Sequence, residues 1–288
     1  MNGVLIIDKP AGWTSMDVCA KLRGVFHEKR VGHGGTLDPM ATGVLPVFLG
    51  RATRAVEYAT DSDKEYIAGI KLGVVTNTQD TTGEVLEEHP VSISRTDLET
   101  ILPQFTGELD QIPPMFSAIK KDGKKLYELA RKGVEVERKP RHIVIKELEI
   151  INQTDDTTYE LRVLCSKGTY VRTLCHDIGT ALGCGAAMCS LRRSMAAGYT
   201  LADAVTLDQI LEAEDPAVFT RRVDTCFAQY PAVTIDGKNL FKAKNGTPFP
   251  WSGSDGTWRV YSPEGEFLLL GLGKNGIMTT IKSFFEVT

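Results

Sequence analysis

A stretch rich in glycine and proline reads Val31-Gly32-His33-Gly34-Gly35-Thr36-Leu37-Asp38-Pro39-Met40-Ala41-Thr42-Gly43-Val44-Leu45-Pro46. Four glycines and two prolines in sixteen residues disfavour a helix or a central strand, because glycine loses much chain entropy and proline lacks a backbone donor. The stretch therefore predicts a shaped loop. Asp38 lies at its middle, before a proline that biases it toward extended backbone, and His33 is near enough in sequence to approach the same space.

Two interpretations of this loop are open from the residues alone. A glycine-rich loop can bring its backbone close to a flat ligand and present an acid to it, which makes the loop a candidate active site. The same residues also suit a tight turn in which the Asp38 side chain caps its own backbone. The loop by itself favours neither.

Length and composition indicate one large domain plus a small one, because the 288 residues are 42% hydrophobic and 24% charged. Residues 1–9 have a short apolar run and no basic region, so we expect neither a signal peptide nor a membrane span, and a cytoplasmic location. Six cysteines are too few for a disulfide scaffold. We expect them to be reduced and buried, because the spacing of Cys175, His176, Cys184 and Cys189 matches no common zinc module.

Charge is distributed unevenly along the chain. The net charge of −4 argues against a protein that binds polyanions over its whole surface. Basic residues are nevertheless concentrated between residues 120 and 141, and contacts with phosphate act within about 8 to 10 Å. Each basic pair alone is typical of solvated surface, whereas the group favours an anionic partner. Its members are Lys120, Lys121, Lys124, Lys125, Arg131, Lys132, Arg138, Lys139 and Arg141, together with Arg51, Arg54, Arg192 and Arg193 outside this range.

Hydrophobic periodicity predicts alternating strands and helices. Strands are expected at 4–7, 65–72, 142–150 and 159–165, and helices after Thr14 or Ser15, after Ser94, at 126–130, and after residues 166–169. Residues 201–227 are also predicted to be helical. From residue 232, short apolar runs alternate with Asp-Gly and Asn-Gly turns, which is typical of a small β-barrel or sandwich and places a domain boundary near residue 231.

Arg172 falls in the first turn of the helix that follows residues 166–169. A cation is unfavourable there, because the helix dipole is positive at its N-terminus. We therefore expect a partner from elsewhere in the chain to hold it, most simply a carboxylate.

The chain resembles the TruB family, the bacterial tRNA pseudouridine synthases that modify uridine 55 in the T arm. Four stretches in matching order carry the resemblance: Ile7-Asp8-Lys9-Pro10-Ala11-Gly12, the loop at 32–46, Lys64-Glu65-Tyr66, and Ser166-Lys167-Gly168-Thr169-Tyr170-Val171-Arg172-Thr173-Leu174. The resemblance implies an α+β pseudouridine synthase fold, with a central mixed, mainly antiparallel sheet flanked by helices. It implies a catalytic domain at 1–230 with a thumb insertion at about 113–142, and a small β-rich, PUA-like RNA-binding domain at 231–288.

The resemblance also implies roles for individual residues. Asp38 would be the catalytic aspartate, Arg172 would pair with it, and Tyr66 would stack on the uracil. The reaction needs no cofactor and no metal. The residues implied to bind substrate or to support the site are His33, Lys9, Asp80, Tyr170, Leu191, and the thumb residues Lys120, Lys124, Lys125, Arg131 and Arg141.

The resemblance implies tRNA as the partner, recognised at the T arm, for a chain that acts as a monomer away from membranes. Two other functions are weighed against catalysis. One is an RNA chaperone that folds tRNA on the same surface, and the presence of Asp38, Tyr66 and Arg172 argues for the enzyme instead. The other is an aspartate-dependent hydrolase using His33 and Asp38, which would need a metal or a second carboxylate at the loop.

Overall fold

The computed structural model describes residues 1–285, which divide into two compact units. The first unit comprises residues 1–38 and 45–60 and the chain from 197 onward, and the second comprises 39–44 and 61–196. The short segment 39–44, directly after Asp38, belongs to the second unit, whereas the residues on both sides of it belong to the first. The division into 1–230 and 231–288 stays a prediction.

The N-terminal part of the chain forms three strands and two helices. They are β1 (Gly3–Lys9), α1 (Ser15–Phe26), β2 (Val31–His33), β3 (Thr42–Leu49) and, after a 3₁₀ turn at Gly50–Ala55, α2 (Val56–Asp61). Strand β1 lies beside β3, and β2 pairs with β3 in antiparallel fashion. The loop predicted over residues 31–46 is therefore partly wrong. Val31–His33 and the start of β3 are strands, because sheet pairing there outweighs the glycines and Pro46, and only residues 34–41 of the stretch lie outside strands. The predicted start of α1 is confirmed, because the Thr14 side chain accepts from the Asp17 backbone and the Asp17 carboxylate accepts from Thr14.

The second unit is built on an antiparallel sheet. Its elements are β4 (Lys64–Leu72), β5 (Val74–Thr76), β6 (Val85–Glu88), α3 (Arg95–Ile101), a 3₁₀ turn at Leu102–Phe105, β7 (Gly107–Gln111), β8 (Lys120–Lys121), β9 (Lys124–Lys125), α4 (Leu126–Ala130), β10 (Arg141–Gln153), β11 (Thr158–Cys165), α5 (Val171–Ala181) and β12 (Ala186–Ala196). The strand order β12-β4-β11-β10-β7 is antiparallel throughout, and Thr42 and Gly43 add a parallel pairing on β12. The predicted mixed, mainly antiparallel sheet is confirmed.

The predicted helix at 201–227 is wrong. After β13 (Tyr199–Thr200) the chain forms 3₁₀ turns at Leu201–Asp203, Pro216–Phe219 and Val223–Phe227, and only α6 (Leu207–Glu212) is α-helical. Thr206 and Asp215 each accept a backbone N–H that starts a new turn, and Pro216 cannot continue the turn before it.

Among residues 1–285, no helix has both the length and the apolar character that crossing a membrane requires.

The C-terminal residues form the predicted β-rich part of the chain. Its elements are β14 (Ala232–Thr234), α7 (Gly237–Lys244), β15 (Phe249–Pro250), β16 (Gly256–Tyr261), β17 (Phe267–Lys274) and β18 (Ile277–Ser283). The strands form one sheet in the order β14-β16-β17-β18-β15, over a core that includes Val260, Leu269 and Met278. Helix α7 was not predicted, because its eight residues offer only a weak apolar pattern.

Candidate active site

The loop that carries Asp38 is held from helix α1 of the first unit. The hydroxyl of Ser15 accepts from the Leu37 N–H at 2.9 Å and lies 3.3 Å from the Leu37 carbonyl oxygen, to which it donates. Both residues are buried. The backbone immediately before Asp38 is therefore bound on both of its polar groups, while Asp38 itself is half-buried. Sequence reasoning treated Ser15 only as a possible helix cap and missed this contact.

His33 ends strand β2, opposite Val47 on β3, and is half-buried. The next residue, Gly34, donates its N–H to the Pro46 carbonyl at 2.8 Å. A Cβ on Gly34 would lie 2.6 Å from the Cβ of Ala59, closer than van der Waals contact permits. The packing of the protein itself therefore requires a glycine at residue 34.

Lys9 lies at the end of β1 and is fully buried. Its ammonium donates to the carbonyl oxygens of Pro10 at 2.8 Å and Trp13 at 2.6 Å. These bonds tie together the turn that leads into α1, the helix from which Ser15 holds Leu37. The role of Lys9 as a support of the site, and not a participant in the chemistry, stays a prediction.

In the second unit, Tyr66 and Leu191 share one face of the sheet. Leu191 on β12 pairs with Ala68 on β4, and Ala68 is two residues from Tyr66. Directly paired residues project to the same side of an antiparallel sheet, as do residues two apart on one strand. Each of the two side chains is 8% exposed. A sheet face that combines a phenol ring and an apolar side chain can contact a flat ligand.

Arg172 is the second residue of α5, as predicted, and it is buried. Its Nη1 donates to the Thr78 carbonyl at 3.1 Å and lies 3.6 Å from Asp80 Oδ2, and its Nη2 donates to the Phe116 carbonyl at 2.9 Å. Asp80 is thus a carboxylate that meets the first-turn cation within the second unit. The pairing of Arg172 with Asp38 stays a prediction.

Asp80 is buried in a loop rich in threonine. Its Oδ1 accepts from the hydroxyls of Thr78 at 2.9 Å and Thr82 at 2.5 Å and from the Thr82 N–H at 3.0 Å. Three donors on one oxygen leave Oδ2 directed toward the guanidinium of Arg172. These three hydrogen bonds fix the position of the carboxylate, so the loop orients Asp80 toward Arg172.

Tyr170 precedes α5 and is joined to the strand that leads into the predicted thumb. Its N–H donates to the Gln111 side-chain oxygen at 2.8 Å, and the Gln111 amide donates to the Tyr170 carbonyl at 3.0 Å. Gln111 ends β7 and is buried. Sequence reasoning missed Gln111, because a single glutamine at the end of a strand has no local signature.

The segment between β7 and β10 contains a short hairpin and α4. Lys120 pairs with Lys125 and Lys121 with Lys124 across the hairpin. Four of the five basic residues predicted to bind RNA are exposed, and Lys125 is half-buried. Lys125 and Arg131 lie 5.3 and 5.4 Å from the centroid of the Tyr127 ring, close enough for cation–π attraction. Tyr127 therefore orients two of the cations predicted to contact phosphate.

Another buried cation, Lys64, lies near Tyr66 in the sequence. Lys64, two residues earlier on β4, is 6% exposed, and burial together with the positive charge of Arg193 lowers its pKa to about 8.

No cluster of three or more His, Cys, Asp or Glu side chains suited to a metal ion occurs within residues 1–285.

The structure thus distributes the predicted residues between the units. Lys9, His33 and Asp38 belong to the first unit. The second unit contains the remaining ones, which are Tyr66, Asp80, Tyr170, Arg172, Leu191, Lys120, Lys124, Lys125, Arg131 and Arg141. Within the second unit, Arg172 and Asp80 are in contact, and Tyr66 and Leu191 share a face.

Comparison with known proteins identifies the class. Residues 23–171 match the family model described as TruB family pseudouridylate synthase (N terminal domain), and 172–220 match the tRNA pseudouridylate synthase B C-terminal domain. Fold and matches together define a pseudouridine synthase. A tRNA pseudouridine synthase B of Pseudomonas fluorescens is 43% identical over 94% of this chain and 91% of its own, and one of Clostridium kluyveri is 39% identical over 99% and 100%. The chain belongs to the TruB family.

Solved structures agree in fold. A chain in the structure of an H/ACA RNP bound to a substrate RNA containing 2′-deoxyuridine is 23% identical, with a TM-score of 0.73 over 99% of this chain and 85% of its own. A chain of a Cbf5-Nop10-Gar1 complex is 25% identical, with a TM-score of 0.74 over 98% of this chain and 85% of its own. The predicted pseudouridine synthase fold is confirmed.

Proposed function

We propose that this protein converts uridine 55 in the T loop of tRNA to pseudouridine, with Asp38 as the catalytic residue. The observation that carries the proposal is the position of Asp38 in a chain of the TruB family. It directly follows a residue whose backbone is held on both sides by Ser15. A carboxylate on a fixed backbone can be held in the orientation that reaction with a bound ligand requires.

The reaction balances without redox change and without a cofactor. The bond between N1 of uracil and C1′ of ribose breaks, the base turns, and C5 forms a bond with C1′. The proton on C5 leaves to solvent and N1 takes up a proton. Asp38 assists as an ionised carboxylate, either by adding covalently to the sugar or the base or by acting as a base.

Other residues of the site bind and orient the base. Tyr66 stacks on the uracil, Leu191 forms the apolar wall, and Arg172 pairs with Asp38 to keep it ionised. His33 accompanies the departure of the base from the stack, which is required because a stacked base is not accessible. Asp80 and Tyr170 support the pocket through their contacts around Arg172 and Gln111.

Recognition uses the basic residues of the thumb, at about 113–142. Lys120, Lys124, Lys125, Arg131 and Arg141 contact phosphates of the T arm, and the splayed loop is recognised mainly by shape. Residues 1–230 form the catalytic domain, and residues 231–288 form a PUA-like domain that contacts RNA. The protein acts as a monomer in the cytoplasm.

The test is a T-arm transcript that carries tritium at C5 of uracil. The wild-type protein is expected to release the label from position 55, and Asp38→Asn to abolish release. Binding by the variant should stay within about tenfold, because phosphate contacts dominate affinity. Asp156→Asn, an exposed change between β10 and β11, is the control. Full release by Asp38→Asn would remove Asp38 from the reaction, and no release by the wild type would favour the chaperone.

A further inference from the structure

Arg193 on strand β12 is among the largest fully buried side chains of the described chain, with 1% of its surface exposed. Burial of a guanidinium is costly unless hydrogen bonds and charges compensate for the water it loses. An apolar residue of similar volume would satisfy packing alone. The contacts of Arg193 therefore indicate what the charge and the donors are used for.

The sheet register places Arg193 between Tyr66 on one side and the segment that follows Asp38 on the other. On one side, Arg193 pairs with Gly43 of β3 in parallel fashion, and on the other with Tyr66 of β4 in antiparallel fashion. Paired residues of an antiparallel sheet project to the same face. The guanidinium of Arg193 and the phenol of Tyr66 therefore leave the sheet on the same side, in one row.

The guanidinium also holds the backbone of the neighbouring strand. Nε of Arg193 donates to the Val44 carbonyl at 2.7 Å. At Gly43, φ is +101°, and a Cβ there would lie 2.8 Å from the backbone nitrogen of Arg193 and closer still to its carbonyl oxygen. Only glycine allows the two strands to approach this closely. Side chain and backbone of Arg193 thus both hold residues 43 and 44.

Residues 39–44 begin immediately after Asp38 and are counted with the unit that contains Arg193 and Tyr66. Fixing Gly43 and Val44 limits the positions that the start of this segment can occupy. A displacement of about 1 Å at a reacting group can cost on the order of 10²-fold in rate. The position of residues 39–44 can therefore affect the rate of the reaction at Asp38.

We propose that Arg193 is a positioning residue, which holds the segment leaving Asp38 in register with Tyr66. The inference rests on the proposed function of Asp38 and Tyr66, and it adds a residue to which neither the motifs nor the family matches assign a role. Arg193 acts through the Val44 carbonyl and not by contact with the base.

Arg192 provides a matched control. It is the neighbouring residue on β12, it is half-buried, and its Nη1 donates to the Thr42 hydroxyl at 3.2 Å. Its side chain alternates to the opposite face of the sheet from Tyr66. A variant at Arg192 therefore disturbs the same strand pair without disturbing the row that contains Tyr66.

The experiment compares Arg193→Lys with Arg192→Lys, measuring kcat and KM for release of tritium from the T-arm RNA, thermal midpoints, and amide hydrogen exchange in residues 38–45. Lysine keeps the charge but loses the planar donor. For Arg193→Lys we expect kcat to fall about 10- to 100-fold, KM to stay within about threefold, and exchange in 39–44 to accelerate. Arg192→Lys should change none of these.

Wild-type kcat in Arg193→Lys would overturn the proposal. A variant with lower kcat, higher KM and a lower thermal midpoint, but with no faster exchange in residues 39–44, would also overturn it. Arg193→Met tests the charge as well, and if it does not fold, the lysine variant still decides. If the wild type released no label, the proposed function would fail, while the exchange rates would still show whether Arg193 holds the segment.

Discussion

Nη1 of Arg172 lies 3.6 Å from Oδ2 of Asp80, and each side chain is 6% exposed. Through this pair and two carbonyl contacts, the start of α5 is joined to the threonine-rich loop at Thr78 and to the segment after β7 at Phe116. One guanidinium thus connects three parts of the second unit. Any change in its partners should be measurable in stability as well as in rate.

Asp80→Asn should lower the free energy of unfolding by about 3 kcal/mol, because removing one member of a buried pair leaves the other charge uncompensated. Urea denaturation measures the change. The control is Glu99→Gln in the exposed Arg95–Glu99 pair, which should lose much less, since exposed pairs contribute little. Equal losses in the two variants would show that the buried pair adds nothing to stability.

Ser15→Ala should lower kcat, because the polar groups of Leu37 next to Asp38 would lose their side-chain partner. The lost bonds are buried, so stability should also fall by about 1 to 3 kcal/mol. Thr14→Ala removes the neighbouring helix cap and should cost about 1 kcal/mol without changing kcat. Steady-state kinetics and thermal unfolding of both variants separate the effects, and an equal loss of kcat in the two would mean that Ser15 affects catalysis only through the stability of α1.

Changing Lys124 and Lys125 together to Ala should raise KM for the T-arm RNA and flatten its dependence on salt. Each lost phosphate contact reduces the slope of log affinity against log salt by about 0.7 to 0.9, so two contacts account for about 1.5. KM measured over a salt series gives the slope. The double change to Arg keeps both charges and should preserve it, and an unchanged slope in the alanine variant would show that these lysines do not contact phosphate.

The pH dependence of stability should contain a contribution from Lys64. Its folded pKa of about 8 lies below the ordinary lysine value of 10.5, because burial and Arg193 on β12 outweigh the opposite influence of Asp61, Asp63 and Cys165. Between those pH values the unfolded chain binds more protons, so stability rises with pH. Below pH 8 both states are protonated and the penalty is constant.

Lys64→Met should remove this contribution. The free energy of unfolding of the wild type should rise relative to that of Lys64→Met as pH increases from about 8 to about 10.5, by at most about 3 kcal/mol. Urea denaturation of both proteins across this range measures the difference. Parallel curves would show that Lys64 has an ordinary pKa in the folded protein.

Local sequence signals predicted the elements that depend on neighbours in the chain. The capping residue Thr14, the alternation in β11 and the position of Arg172 in the first turn of α5 were all recognised correctly. The segment 201–227 shows the limit, because its apolar residues have helical spacing but its caps and Pro216 divide it into short turns.

Contacts between distant residues could not be predicted in this way. Ser15 binds Leu37, Gln111 binds Tyr170, and Arg193 binds Val44 across 22, 59 and 149 positions. None of these residues has a local pattern that distinguishes it from an ordinary cap, strand end or surface cation.

By itself the sequence determined that Asp38 lies in a loop, although the predicted loop was too long at both ends. It also determined the order of most strands and helices, and the resemblance that led to the family. These depend on composition and on spacing within a few residues. Only the tertiary structure decided that Gly34 is required by packing against Ala59, and that Gly43 and Val44 are held by Arg193. The physical reason is that the backbone near Asp38 is restricted by residues far along the chain, and such contacts exist only after folding.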